Sequence, residues 1–167
     1  MSEFIRIIKR SRWQSKEAIN GDINNIKAKT IVQEMSMREG AEGLSIWKLE
    51  DPADIALALI SSNKENIEKI DVLKINEDEL KKCGLQIVQI DGNSVVEKLN
   101  EFHYDIINMT YKNLGDFANV IVEALEEKEN FKQISVIEIK KYINSAIENG
   151  DLELENLNEK LINKLKR

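Results

Sequence analysis

The chain's 167 residues suffice for one domain with a real core, and a composition that is 42% hydrophobic and 32% charged is that of an ordinary globular chain and demands no disorder. Its 24 Lys and Arg against 30 Asp and Glu leave a formal charge of −6, which excludes a protein that coats nucleic acid by charge alone. Cys83 and His103 are the only residues of their kinds, so disulfides, thiolate-rich zinc sites and two-histidine metal motifs are excluded as well.

The segment from Glu3 to Trp13, EFIRIIKRSRW, sets Phe4, Ile5, Ile7 and Ile8 beside Arg6, Lys9, Arg10 and Arg12 and predicts a strand with a basic end. Asn20-Gly21-Asp22 marks a turn. From Ile23 to Arg38 neither period fits well, and a helix ending near Gly40 is slightly favoured. The stretch Gly43 to Ile60, GLSIWKLEDPADIALALI, is the organising element: its first half alternates like a strand, and a helix follows at once. Asp51 is placed to cap that helix, Pro52 suits its first position, and Ile55, Ala56, Leu59 and Ile60 share one face.

Ile70 to Ile75 predicts a second core strand. A short helix capped by Asn76 follows and closes at Gly84. Leu85 to Ile90 is the next strand and ends at the turn Asp91-Gly92, after which Ser94 and Glu97 suggest a capping box on a short helix. His103 to Met109 reads as a strand. Thr110 then caps the clearest helix, whose stripe is Leu114, Phe117, Ala118, Ile121, Val122 and Leu125.

Alternation of strand and helix from Leu44 to Leu125 favours an α/β sheet with parallel pairs. The short connecting helices keep an α+β sheet with hairpins open as the alternative, because a parallel crossover needs about a dozen residues. The expectation is therefore α/β or α+β: a single sheet of about four to five strands with flanking helices, filling residues 1–127. Residues 128–167 are expected to form a C-terminal helical hairpin, docked on that domain or on a partner. Its first helix is capped by Ser135 and Glu138, and Leu154, Leu157, Leu161 and Leu165 recur at near-heptad spacing on the second.

Candidate chemistry falls in three places. His103 and Asp105 lie two apart on a predicted strand and so share a face, where a carboxylate can orient an imidazole for acid–base work. At Val136 to Lys141, VIEIKK resembles the central motif of the PD-(D/E)xK nuclease family, in which Glu138 would hold magnesium and Lys140 would stabilise charge at a phosphate. That resemblance implies an upstream acid, Asp91 or Asp105. Arg6, Arg10 and Arg12 with Trp13 form a basic cluster that can grip a phosphate or stack on a base. No glycine-rich phosphate loop occurs.

With no convergent catalytic set in the sequence, the expected function is non-enzymatic: an interaction protein of the immunity, antitoxin or accessory-subunit kind. Its partner would be another protein or a second copy, binding through Leu154, Leu157, Leu161 and Leu165 or through the sheet. A partner with a basic face suits the acidic charge. A metal-dependent nuclease through Glu138 and Lys140, and a nucleic-acid or phosphate binder through the arginines, are the alternatives. No cofactor, resident metal or membrane span is expected, and the expected compartment is the cytoplasm.

Overall fold

The computed structural model describes residues 2–35 and 43–166. Six strands, β1 (Glu3–Ile8), β2 (Gly43–Trp47), β3 (Ile70–Asn76), β4 (Gln86–Gln89), β5 (His103–Ile107) and β6 (Phe131–Ile134), form one sheet in the order β4-β5-β2-β1-β3-β6. Every adjacent pair is antiparallel. Among the described residues the helices are α1 (Ala28–Met35), α2 (Pro52–Ala58), α3 (Glu77–Lys82), α4 (Tyr111–Glu126), α5 (Val136–Glu148) and α6 (Glu159–Leu165).

Strand position follows from side-chain chemistry. β1 and β3 carry apolar residues on both faces and are buried on both, so they lie in the middle of the sheet. β4 and β6 are short, half polar and largely exposed, which suits the two edges. Helices cover both faces. Ile5, Trp47, Ile70 and Val72 meet α2, α5 and α6 on one side. Phe4, Ile8, Leu44, Ile46, Leu73, Ile75 and Ile106 meet α1, α3 and α4 on the other.

The class is thus α+β, and the favoured parallel pairing is corrected. β2, α2 and β3 do make a crossover between strands of the same direction, as the local signals imply. However, β1 occupies the slot between them and pairs antiparallel with both, at Ile5–Trp47 and from Glu3–Asn76 to Ile8–Asp71. A split β-α-β unit of this kind reads locally like a parallel one.

The strand count is also six rather than four to five. The addition is β6, in a segment expected to be wholly helical, where Ile70 stands opposite Ile134 and Leu73 opposite Phe131. Four residues with an i-e-e-B burial pattern show no clean alternation, so the strand is set by β3 rather than by its own sequence.

Local caps match their chemistry. Asp51 accepts from the N–H groups of Ala53 and Asp54, Asn76 from Asp78, Thr110 from Asn113 and Ser135 from Glu138. Gly84 and Gly150 take φ values of 68° and 76°, the left-handed conformation that closes a helix.

Two expectations differ, and the end of a third element falls outside the described residues. Ser94 caps no helix; its hydroxyl donates to Leu57 O at 2.8 Å and ties its loop to α2. Leu154 to Asn156 is a 3-10 turn, and α6 begins only after its cap Asn158. The helix expected to end near Gly40 is described to Met35, and residues 36–42 lie outside the described residues. Among the described residues no helix is long and apolar enough to cross a membrane.

Leu161 is fully buried while Leu154 is 42% exposed. Leu161→Ala is therefore expected to cost about 3 kcal/mol and Leu154→Ala under about 1 kcal/mol, measured by urea unfolding of the two variants.

Candidate functional site

The N-terminal basic cluster is organised around a carboxylate that the sequence reading did not single out. Glu34, on α1, accepts from the backbone N–H of Lys9 at 3.0 Å, from Arg12 Nη1 at 2.8 Å and from Trp13 Nε1 at 3.3 Å. Arg6 lies deeper, donating from Nη1 to Ser45 O and from Nη2 to Glu34 O, both at 2.7 Å. Its guanidinium also sits 6.0 Å from the Phe117 ring centre. Burial pushes the Arg6 pKa down to about 10, while Glu34 and Asp105 oppose that shift.

Arg10 donates to Trp13 O at 3.0 Å, and its backbone N–H reaches Asp71, which also accepts from Gln133 on β6. All three arginines thus have partners within the fold, and Trp13 is buried. The only forward signal for Glu34 was an acid in the ambiguous segment before Gly40.

Glu138 lies in the first turn of α5. It accepts from Ser135 N–H at 2.8 Å and Ser135 Oγ–H at 2.6 Å, and its own N–H donates to Ser135 Oγ at 3.3 Å. Lys140 follows on the same helix. Residues two apart share a face on a strand but are turned about 200° apart on a helix, so Glu138 and Lys140 point to different sides. Among the described residues no group of three or more His, Cys, Asp or Glu is placed to hold a metal ion.

His103 and Asp105 do come together, with Nε2 and Oδ1 3.5 Å apart. The structure adds a member. Ser45, opposite Asp105 in the β2–β5 ladder, places Oγ 2.5 Å from His103 Nε2. On the other side of the ring Nδ1 lies 2.8 Å from Ile90 O, and Trp47 stacks edge-on at 4.6 Å. Two glycines permit this packing. A Cβ on Gly43 would meet Ile106 O at 2.5 Å, and one on Gly92 would meet the Trp47 ring at 2.7 Å. Ser45 carried no local signal because its partner is 58 residues away.

The four C-terminal leucines separate. Leu157 and Leu161 are buried against the sheet and α2, Leu165 packs partly against the same cluster, and Leu154 remains exposed. Leu154 borders an open groove of about 560 Å³ between the end of α5 and the start of α6. Ile147, Leu152 and Ile162 add apolar lining, while Glu153 and Glu155 supply carboxylates.

No protein family, curated protein or solved structure matches the chain.

What the sites can do follows from these contacts. The arginines brace the sheet, Glu138 caps a helix, the Ser45–His103 pair can pass a proton, and the C-terminal groove offers apolar area beside negative charge.

Two outcomes are expected. Arg6→Met strands two buried carbonyls and is expected to cost about 3 kcal/mol by urea unfolding. The two hydrogen bonds from Ser135, its hydroxyl first and its backbone N–H second, hold the Glu138 carboxyl below the usual glutamate range. That contribution is present above the usual range and is lost as pH falls through it toward the depressed folded value. Glu138→Gln is thus expected to lose less stability than the wild-type chain between about pH 7 and about pH 3, as read by denaturant midpoints at each pH.

Proposed function

We propose that the protein works by binding another protein, and that the groove at the junction of α5 and α6 is the contact surface. The observation that carries this reading is the combination in one place of an apolar lining, Ile147, Leu152, exposed Leu154 and Ile162, with Glu153 and Glu155 beside it. An apolar anchor framed by charge is how a surface gains both affinity and selectivity. The chemistry favours an amphipathic segment with Lys or Arg flanking its apolar side chains. A second copy would bring like charges face to face, so a different chain of basic character fits better than self-association.

The other readings have less support. A phosphate or nucleic-acid site would need guanidinium groups free to move toward a ligand, whereas Arg6, Arg10 and Arg12 are engaged with Ser45, Trp13 and Glu34. A two-carboxylate metal site would need a second acid beside Glu138, whose oxygen is occupied by Ser135.

The test is affinity capture from the native host with the full chain, alongside Leu154→Glu and the double variant Glu153→Lys/Glu155→Lys. A single stoichiometric companion is expected with the wild-type chain, weakened at least about tenfold by each variant and weakened also by added salt. Equal capture by all three chains would overturn the reading, as would magnesium-dependent cleavage of DNA or RNA that disappears in Glu138→Ala.

A further inference from the structure

Ser45 and His103 are neighbours only because β2 and β5 pair with Trp47 opposite His103 and Ser45 opposite Asp105. Their hydrogen bonds define a proton arrangement. The carbonyl of Ile90 can only accept, so the imidazole Nδ1, 2.8 Å away, carries the hydrogen and the neutral ring presents its Nε2 lone pair to Ser45. The Ser45 hydroxyl then donates to Nε2 across 2.5 Å. Trp47 at 4.6 Å keeps the ring from turning, and Asp105 Oδ1 stands 3.5 Å from the nitrogen that would become positive. Exposure is divided in a useful way: Ser45 faces solvent, while the side chains of His103 and Asp105 are each only 12% exposed.

We propose that Ser45 is a nucleophile activated by His103, able to take the acyl group of a small carboxylic ester. Ser45 Oγ forms a bond to the ester carbonyl carbon as its proton passes to Nε2, and the resulting imidazolium faces Asp105. The C–O bond of the ester then breaks, and the leaving alkoxide takes the proton from Nε2 to depart as an alcohol. Water attacks the acyl-Ser45 bond in the same manner, its proton passing through Nε2 to Ser45 Oγ, and releases the carboxylic acid. Ester and water are consumed, alcohol and acid are formed, and no oxidant or further reactant is needed. Ile90 plays the part that a carboxylate plays in a serine triad, fixing the tautomer. The site lies at the end of the sheet distant in sequence from the C-terminal groove, so it stands or falls independently of the binding reading.

The test treats the full chain with a fluorophosphonate, in which Oγ displaces fluoride from phosphorus, and maps the adduct by peptide mass spectrometry. Ser62 is exposed and, since His103 is the only histidine, has no such base; it serves as the internal reference. Labelling is expected at Ser45, about 100-fold faster than at Ser62 and lost to the same degree in His103→Gln. Hydrolysis of p-nitrophenyl acetate is expected to fall in parallel.

Asp105 is a positioning residue in this scheme, and Arg6 on β1 is the further charged group that it faces. Asp105→Asn removes support for the imidazolium and is expected to move the pH midpoint of labelling downward. Should His103→Gln fail to fold, the pH dependence of iodoacetamide alkylation in Ser45→Cys separates activation from mere exposure: beside the imidazole the new thiol is expected to react already at about pH 6, well below the range of an ordinary exposed thiol. Labelling of Ser45 no faster than Ser62, or a thiol in Ser45→Cys that reacts only above about pH 8 as an ordinary exposed thiol does, would overturn the proposal.

Discussion

Between β1 and β2 the Cα partners in register are Ile5 and Trp47, and beyond that pair the guanidinium of Arg6 spans the seam. One of its nitrogens occupies Ser45 O, a carbonyl that a regular ladder would have paired with a backbone N–H, and another holds Glu34 O of α1. A cation this deeply buried persists only where donors and charge are met on several sides. Glu34 and Asp105 supply the charge and Phe117 the stacking surface. The seam matters because it joins β4, β5 and β2 to β1, β3 and β6. Without it the central layer would be two smaller sheets sharing helices.

That arrangement divides the molecule's surfaces. The half containing β1, β3 and β6 is clothed by α2, α5 and α6 on one face and by α4 on the other. The half containing β2, β5 and β4 leaves Ser45, Gln86 and Val88 in contact with solvent. Between α5 and α6 the chain turns outward at Leu154 before it buries Leu157 and Leu161. The Ser45 end of the sheet and the junction of α5 with α6 are thus two of the places where side chains stay in contact with solvent.

Signals that act over four residues were legible in the sequence. Asp51 with Pro52, Asn76, Thr110 and Ser135 with Glu138 each stand where their side-chain oxygens find free N–H groups, and the stripe from Leu114 to Leu125 faces the sheet as its period requires. Properties set across the chain were not. Strand order turned on β1 entering between β2 and β3, which no local period reveals. β6 is a strand because β3 offers an edge to it. Glu34 looked like an ordinary helix residue until three donors from the N-terminal segment converged on it. The pair His103–Asp105 was visible from strand periodicity, whereas Ser45 required knowledge of which strand lies beside β5.

The central place of β1 has a consequence for how the chain is made. Of these six strands the earliest to be synthesised is the one that ends in the middle, and its neighbours come from residues 43–47 and 70–76. Until those have emerged, an aliphatic ribbon, Phe4, Ile5, Ile7 and Ile8, waits with both edges open, a condition in which strands seek partners in other chains. The charges of Arg6, Lys9, Arg10 and Arg12, set within and just after it, discourage such pairing through mutual repulsion. The same guanidinium that later closes the seam thus guards the nascent strand beforehand.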